Sequence, residues 1–453
     1  MRFDNVPDWL AWQERLHPVS VDLGLARVSL VAKRLGVTHP PFPIVSVAGT
    51  NGKGSGVALL ESIYRQAGYR TGAYTSPHLA CYNERVRVAG CETSDEALLA
   101  AFEAIDAARA DTTLTYFEFG TLAALWVFRQ AQVDVGLLEV GLGGRLDAVN
   151  LFDADVALVM RIGIDHVDWL GPDRESIGRE KAGIFRPGRP AICGDPAPPA
   201  SIEAHARSLG AVFICAGRDF QHCPYLPGDD GHGAGRLFPS YAVTCASGPW
   251  RWEGPGGVRH ENLPNPALTG AHQRQNAAAA VMAVECLRER LPVSEGALRQ
   301  GIAEASLPGR FQLLAGKDGI TRILDVAHNP QAAEALAHAL RDLPCRGRTL
   351  AVVAMLADKD IAGVLRAMEP VVDGWYAAGI DAPRGAGAGE VAAVLSRIAT
   401  GAVHRNATVA DAYRAALQAA MPGDRVVVFG SFYTVGMVLR SEEIGVLCSR
   451  NPF

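Results

Sequence analysis

The sequence lacks cysteines at the spacing that is typical of metal-binding or redox pairs. Its nine cysteines are odd in number, and no two of them form a Cys-x-x-Cys pair. Structural zinc sites usually need such pairs, and a disulfide framework needs an even set in a short secreted chain. We therefore expect reduced thiols, no structural zinc and a cytoplasmic protein.

The chain also lacks an excess of basic residues and any long apolar run. Its formal net charge is −5, whereas a nucleic-acid phosphate backbone demands a basic surface. No apolar run reaches the length of a membrane span, and the N-terminus shows no basic-then-apolar signal pattern. Neither nucleic acid nor a membrane is predicted as a partner.

A third absence is the dinucleotide fingerprint G-x-G-x-x-G, so dinucleotide binding is not supported. What the chain does have is length and core-forming residues. It contains 453 residues, of which 49% are hydrophobic. Two or three soluble globular domains are expected from a chain of this size.

One stretch organises the rest of the chain, and it runs from Ile44 to Ser55. An apolar run leads into a glycine-rich turn with Lys53 and Ser55, and a helical pattern follows. Glycines let backbone N–H groups approach an anion, the helix N-terminus adds positive potential, and the lysine adds a point charge. The turn departs from the common loop G-x-x-x-x-G-K-[ST], because Gly54 separates the lysine from the hydroxyl. We predict a phosphate-binding loop and disfavour the alternative, an ordinary glycine-rich turn.

Strand and helix patterns alternate after this loop, which predicts an α/β fold with a mainly parallel sheet. Ligands on such sheets gather at the carboxyl ends of strands. Ser76, Glu139 and His166 lie at the carboxyl ends of three predicted strands. A turn, a loop and a surface histidine are the respective alternatives. Ser76 and Glu139 suit magnesium, which prefers oxygen ligands, whereas His166 is a less usual partner.

A smaller Rossmann-like α/β pattern follows near the C-terminus. We predict an ATP-binding domain over 1–306, a linker over 307–311 and a C-terminal domain over 312–453. Residues 221–258 interrupt the first pattern and are predicted to form a small β-rich elaboration or long loops. Asp325 and His328 end a strand of the second domain. They are either a structural pair or part of a site that faces the first domain.

Two further polar residues have both a structural and a functional interpretation. Asp22 precedes a predicted helix, where it would serve as an N-cap or contact a ligand. Asn276 stands near the start of an alanine-rich helix, as a cap or a ligand group.

Taken together, these residues resemble the folylpolyglutamate synthase family of the Mur ligase superfamily, from about Asp22 to Thr434. The resemblance is weakest between Gln221 and Leu263. Five motifs carry it, and they occur in the family's order. They are Gly49–Ser55, Leu138–Asp147, Glu180–Ile184, Leu307–Arg310 and Asp325–Pro330.

The resemblance implies an ATP-dependent ligase that joins L-glutamate to dihydropteroate and to folates through an acyl phosphate. It implies Mg²⁺ and ATP, small-molecule partners only, and a monomer. The implied nucleotide-binding residues are Gly49, Thr50, Asn51, Gly52, Lys53, Gly54, Ser55, Asn276, Arg310 and Asp325. The implied metal ligands are Ser76, Glu139 and His166. The implied pteroate-binding residues are Asp22, Leu23, Thr115, Tyr116, Phe117, Glu118, Leu146, Asp147 and Ala148.

The catalytic residues implied by the resemblance are Lys53, Lys181 and His328. Lys181 matches a lysine that related ligases carry in N-carboxylated (carbamylated) form beside a metal, and the alternative is a surface helix lysine. Val149 departs from the family pattern, which has a small or hydroxyl residue there. The segment Leu307–Arg310 is the expected hinge. Two other functions remain open at this point: a UDP-muramyl amino acid ligase, and a nucleotide-binding switch that is not a ligase.

Overall fold

A computed structural model describes residues 2–225, 248–315, 318–382 and 384–441. The chain forms two compact units. The first consists of Met1–Ser76, Tyr82–Ala267 and Gln273–Ser306, and the second of Pro77–Cys81, Leu268–His272 and Leu307–Phe453. The second unit thus includes two short segments from within the range 1–306. The predicted boundaries and the linker over 307–311 remain predictions.

The first unit is built on an eight-stranded sheet in the order β4-β3-β2-β5-β1-β6-β7-β8. Its strands are β1 (Ile44–Ala48), β2 (Thr71–Tyr74), β3 (Val86–Val88), β4 (Cys91–Glu92), β5 (Val135–Glu139), β6 (Val156–Val159), β7 (Pro190–Cys193) and β8 (Val212–Cys215). All neighbours pair in parallel except β2 with β3 and β3 with β4, which are antiparallel. The prediction of a mainly parallel α/β sheet is therefore confirmed.

Ten helices accompany this sheet in the described part of the chain. They are α1 (Val6–Leu16), α2 (Ala26–Leu35), α3 (Lys53–Gln66), α4 (Asp95–Arg109), α5 (Tyr116–Gln130), α6 (Val167–Leu170), α7 (Arg174–Ala182), α8 (Ala200–Leu209), α9 (His272–Cys286) and α10 (Glu295–Glu304). The sequence pattern predicts a helix over Phe119–Gln130, and α5 begins three residues earlier. Thr115 and Glu118 form a reciprocal capping box there, which ends the preceding loop.

The predicted β-rich elaboration is a three-stranded antiparallel sheet in its described part. Its strands are β9 (Gln221–Pro224), β10 (Trp250–Glu253) and β11 (Arg259–Leu263). Trp250 and Trp252 are fully buried beneath it, and their indole N–H groups donate to the carbonyl oxygens of Pro264 and Ala278. Large aromatic side chains thus anchor this sheet to the first unit.

The second unit carries a six-stranded sheet in the order β12-β13-β17-β14-β15-β16, parallel except for β12. Its strands are β12 (Gln312–Ala315), β13 (Thr321–Leu324), β14 (Thr349–Val353), β15 (Gly374–Ala377), β16 (Ala402–Arg405) and β17 (Arg425–Phe429). Its helices are α11 (Pro330–Asp342), α12 (Ile361–Met368), α13 (Ala388–Leu395), α14 (Val409–Ala419) and α15 (Phe432–Ser441). The sequence patterns did not predict helices α6, α8, α10, α12 and α15 or strands β3, β4, β12 and β16.

Alternate residues of the central strands face two separate cores in the second unit. Ala351 and Val353 of β14 lie in one core, and Leu350 and Val352 lie in the other. Successive side chains of a strand point to opposite faces, so a strand covered on both faces is apolar throughout. No helix in the described residues is long and apolar enough to cross a membrane.

Candidate functional site

The predicted phosphate loop connects the buried strand β1 to the N-terminus of α3. Gly52 caps the helix with φ 88°, and Gly49 has φ 150°, so both adopt a backbone conformation that favours glycine. A Cβ atom on Gly49 would lie 2.8 Å from Cβ of Met160, and one on Gly52 would lie 2.8 Å from Oδ1 of Asn276. These glycines allow the loop to pack closely while its backbone N–H groups point from a helix N-terminus.

Hydrogen bonds hold this loop in position. The backbone N–H groups of Thr50 and Asn51 donate to the carbonyl oxygen of Arg161 at 2.9 and 3.3 Å, and Oγ1 of Thr50 donates to Gly163. Nζ of Lys53 donates to the carbonyl oxygens of Gly49 at 3.1 Å and Thr50 at 3.3 Å. The lysine ammonium therefore lies over the loop it is predicted to serve.

Asn276 lies in the second turn of α9 and is 6% exposed. Its Nδ2 donates to Oε1 of Gln273 at 2.9 Å, while its Oδ1 lies against Gly52. The interpretation of Asn276 as a helix cap is thus wrong, because the residue lies inside the helix. The structure places this predicted nucleotide-binding residue against the phosphate loop.

Two of the three predicted metal ligands lie together. The backbone N–H of Ser76 donates to Oε2 of Glu139 at 3.2 Å, and Glu139 is 5% exposed at the end of β5. His166 is the left-handed N-cap of α6, with φ 54°, and its Nε2 lies 3.8 Å from Oδ2 of Asp165. The described ranges contain no group of three His, Cys, Asp or Glu side chains arranged around a metal position. The full ligand set therefore stays a prediction.

Lys181 is buried, with 5% of its surface exposed, in the last turn of α7. The alternative of a surface helix lysine is therefore wrong. Burial, followed by the positive charge of Lys53, lowers the pKa of Lys181 to about 7, and the carboxylates of Asp165 and Asp147 oppose this change. In a substantial fraction of the protein molecules, Lys181 is therefore a neutral amine near pH 7.

Asp147 is 3% exposed, and its carboxylate holds the loop that follows β5. It accepts hydrogen bonds from the backbone N–H groups of Leu142 at 2.8 Å and Val149 at 3.0 Å. Burial raises the pKa of Asp147 to about 6, although these backbone bonds and Lys181 act against the rise. Val149, which departs from the family pattern, is fully buried in the hydrophobic core.

The loop from Gly141 to Arg145 packs against two of the other predicted segments. A Cβ atom on Gly141 would lie 2.6 Å from Cζ of Phe117, and one on Gly144 would lie 2.7 Å from the carbonyl oxygen of Glu180. The Phe117 ring also lies 5.8 Å from the ring of Tyr74. The loop thus joins predicted pteroate-binding residues to the helix that carries Lys181.

The other predicted pteroate-binding residues differ in what their side chains contact. Tyr116 stacks with the guanidinium group of Arg85 at 5.2 Å. Glu118 is 3% exposed and belongs to the α5 capping box, so its carboxylate is occupied. The N-cap of α2 is Leu25, without a side-chain cap, so the interpretation of Asp22 as an N-cap is wrong. Leu23 and Leu146 are half-buried, and Ala148 is buried.

In the second unit, Asp325 is held by two backbone N–H groups. Its Oδ2 accepts from Phe311 at 2.7 Å and its Oδ1 from Ala327 at 2.8 Å. Burial raises the pKa of Asp325, and the charge of Arg310 is the largest of the effects that oppose this rise. Arg310 lies over the ring of Phe432 at 5.1 Å, and Nδ1 of His328 lies 2.9 Å from the carbonyl oxygen of Val326. Proline suits the first position of a helix, and Pro330 begins α11.

Two charged residues outside the predicted site also contact or influence residues of that site. Asp165 contributes a charge that favours the ammonium form of Lys181, whereas the predicted site includes only its neighbour His166. Arg27 forms ion pairs with Asp22 and Glu118. Proximity to His166 was the one available signal for Asp165, and no spacing rule links Arg27 to residue 118.

Comparisons with known proteins show what the chain as a whole is similar to. Residues 309–432 match the family model described as "Mur ligase, glutamate ligase domain". The chain is 49% identical over 431 residues to a dihydrofolate synthase/folylpolyglutamate synthase of Escherichia coli, which covers 95% of this chain and 94% of the relative.

Two solved structures are similar over nearly the whole chain. One is E. coli FolC in complex with DHPP and ADP, with TM-score 0.87 and 48% identity, covering 97% of this chain and 98% of that one. The other is a bifunctional folylpolyglutamate synthase/dihydrofolate synthase with Mn, AMPPNP and L-glutamate bound, with TM-score 0.85 and 43% identity. That match covers 97% of this chain and 98% of the other.

Proposed function

Because the chain belongs to the dihydrofolate synthase/folylpolyglutamate synthase family, we propose that it joins L-glutamate to dihydropteroate and to reduced folates. The protein is an ATP-dependent ligase. In the proposed reaction a substrate carboxylate oxygen attacks the γ-phosphorus of ATP, which releases ADP and gives an acyl phosphate. The amine of glutamate then attacks the acyl carbon, phosphate leaves, and the nitrogen loses a proton as the amide forms.

The observation that carries this proposal is the built phosphate loop, which Asn276 contacts and over which Lys53 lies. Phosphoryl transfer needs positioning and charge stabilisation more than it needs a protein nucleophile. Backbone N–H groups of Gly49–Ser55 would bind the phosphates, and Lys53 would stabilise charge on the transferring group. The match to the bifunctional enzymes extends over almost the entire chain, which supports a role for this loop in ligation.

The donor atoms near the loop suit a divalent cation. Ser76 offers a hydroxyl group and Glu139 a buried carboxylate, and hard oxygen donors are the ligands that Mg²⁺ and Mn²⁺ prefer. We assign Ser76, Glu139 and His166 as the residues that would hold the ion. When bound, such an ion neutralises charge on the phosphates.

Lys181 fits the chemistry of an N-carboxylated side chain. Carbon dioxide reacts with a neutral amine, and the lowered pKa of about 7 supplies that form at physiological pH. A carbamate would convert a buried amine beside Lys53 into an anion, which the Lys53 charge favours. We propose that Lys181 carries this modification in the active enzyme.

The remaining assignments rest on the family match and on local structure. We assign the pteroate half of the substrate to Asp22–Leu23, Thr115–Glu118 and Leu146–Ala148. Glu118 acts there through the α5 capping box, since it is buried. In the second unit we assign Arg310 and Asp325 to the nucleotide, and His328 to the phosphate or the glutamate. The hinge at Leu307–Arg310, a monomeric state and a cytoplasmic location remain predictions.

Substrate dependence tests the proposed function directly. The purified protein is given ATP, Mg²⁺ and L-glutamate, and phosphate release is measured after adding dihydropteroate, tetrahydrofolate or a UDP-muramyl precursor. We expect release with the first two compounds only, and mass spectrometry should detect dihydrofolate and a product one glutamate longer. Lys53→Ala is the control for contaminating ATPase and should lose most activity.

Two outcomes would contradict the proposal. Phosphate release that requires the UDP-muramyl compound would identify a different ligase of the superfamily. ATP turnover without any glutamylated product would indicate a nucleotide-driven switch instead.

A further inference from the structure

Arg27 joins two segments that we assign to the pteroate half of the substrate. It lies in the first turn of α2. Its Nη1 donates to Oδ2 of Asp22 at 2.5 Å, and its Nη2 donates to the backbone oxygen of Asp22 at 2.9 Å and to Oε1 of Glu118 at 3.2 Å. One guanidinium group therefore fixes both the carboxylate and the main chain of Asp22.

Glu118 is a rigid anchor for this arginine. The residue is 3% exposed, and its Oε2 accepts from the backbone N–H of Thr115 at 2.8 Å. That bond closes the capping box of α5, which fixes the carboxylate at the start of a buried helix. The position of Arg27 is consequently set from the protein interior.

Asp22 differs from Glu118 because its side chain is 39% exposed. A second donor supports it: Nε2 of His17 lies 3.1 Å from Oδ2 of Asp22, and Nδ1 of His17 lies 2.8 Å from Oγ1 of Thr113. Helix α2 does not use Asp22 as a cap. An accessible carboxylate is thus held in one orientation by groups that are themselves fixed.

We infer that Arg27 is a positioning residue for pterin recognition, acting through Asp22. A carboxylate held in a fixed orientation can accept hydrogen bonds from the N–H groups of an aminopyrimidine ring without first losing conformational freedom. This inference rests on the proposed function, since it presumes that Asp22 contacts the pteroate half of the substrate. Arg27 itself need not touch the substrate.

The test compares kinetic constants among matched variants. Arg27→Gln keeps the chain length but loses the charge, Arg27→Lys keeps the charge but loses the forked geometry, and Asp22→Asn removes the carboxylate. Arg34→Gln is the control, because Arg34 lies on the same helix and donates to the backbone oxygen of Arg109. KM is measured for dihydropteroate, ATP and glutamate, together with kcat and Tm.

We expect Arg27→Gln to raise KM for dihydropteroate about tenfold, which corresponds to about 1.4 kcal/mol. KM for ATP and for glutamate should stay within about twofold of the control, because the substitution removes no contact to these two substrates. Arg27→Lys should fall between these two. KM for dihydropteroate in the double variant Arg27→Gln/Asp22→Asn should be no higher than in Asp22→Asn alone, because both substitutions remove the same interaction.

A merely structural role would give a different pattern. It would lower Tm and change all three KM values together. Alternatively, the fold-increases in KM for dihydropteroate caused by Arg27→Gln and by Asp22→Asn would multiply in the double variant. Either result would overturn the inference. An unchanged KM for dihydropteroate in Asp22→Asn would overturn it as well. If Arg27→Gln does not fold, Arg27→Lys carries the same comparison. Failure of the proposed function is recognised separately, as absence of dihydrofolate synthesis by the unmodified protein.

Discussion

Replacing Lys181 by methionine is expected to stabilise the protein at pH 7 and to abolish its ligase activity. The side chain is 5% exposed, and burial and the charge of Lys53 lower its pKa from 10.5 to about 7. The folded protein therefore releases a proton that the unfolded chain keeps. Methionine has a similar length and carries no charge to desolvate.

The size of the effect follows from the pKa. Each unit corresponds to about 1.4 kcal/mol, so the protonated lysine costs the folded state about 5 kcal/mol at low pH and about 4 kcal/mol at pH 7. Removing the lysine also takes away a charge that attracts Asp165 and Asp147. We expect a net gain of about 1–3 kcal/mol in the free energy of unfolding, in the range seen when buried charges are replaced by apolar residues.

The pH dependence of stability isolates this group. Because the folded pKa lies below the unfolded value, stability is complete above about pH 10.5 and is lost as the pH falls towards 7. The free energy of unfolding of the unmodified protein, minus that of Lys181→Met, should rise by about 2 kcal/mol between pH 7 and 9. Urea unfolding in metal-free, bicarbonate-free buffer measures it, since both metal and carbon dioxide would otherwise bind the native state.

Lys33→Met is the matched control, because Lys33 is exposed on α2. It should change stability by no more than about 0.5 kcal/mol, as other surface substitutions do. The reasoning would be refuted if Lys181→Met were less stable than the unmodified protein at pH 7. A stability difference that stays flat from pH 7 to 9 would also refute it.

Two other predictions concern the pteroate loop and the three-stranded sheet. Gly141→Ala would place a Cβ atom 2.6 Å from Phe117, so steady-state kinetics should show KM for dihydropteroate raised about tenfold with KM for ATP unchanged. His260 forms hydrogen bonds with Glu285 and Glu295. Burial lowers the pKa of His260, but these carboxylates outweigh burial and raise the pKa above its usual range. In urea unfolding, His260→Gln should therefore lose about 1–2 kcal/mol at pH 6, and this loss should shrink as the pH rises through the folded pKa.

Each of these has its own check. Gly296→Ala on α10 adds a methyl group whose nearest neighbour is Oγ of Ser294 at 4.0 Å, and it should leave both KM values unchanged. An unaltered KM for dihydropteroate in Gly141→Ala would show that the position of Phe117 does not matter for substrate binding. A pH-independent effect of His260→Gln would show that charge on the histidine contributes nothing.

The parts of the fold that followed from sequence are those with strong local signals. The apolar run Ile44–Ala48 predicts a strand buried on both faces, and Asn329-Pro330 predicts the helix start that the structure shows. Short edge strands such as Cys91–Glu92 have no such signal, because their residues face solvent and pair only through the backbone. The sequence predicts the start of α5 three residues too late, because the first turn of the helix contains Tyr116 and Phe117 in place of a polar face.

Residue types and their order along the chain determined the phosphate loop, the choice of Ser76 and Glu139, and the family resemblance, since each depends on local spacing. Tertiary structure alone decided the environment of these residues. For Lys181 the sequence left the alternative of a surface helix lysine open, whereas the folded chain buries the side chain. Burial, followed by the charge of Lys53, lowers its pKa. Arg27 and Glu118 are 91 positions apart and meet only because α2 and α5 pack together. Burial and long-range charge are properties of the folded chain, so no local pattern reports them.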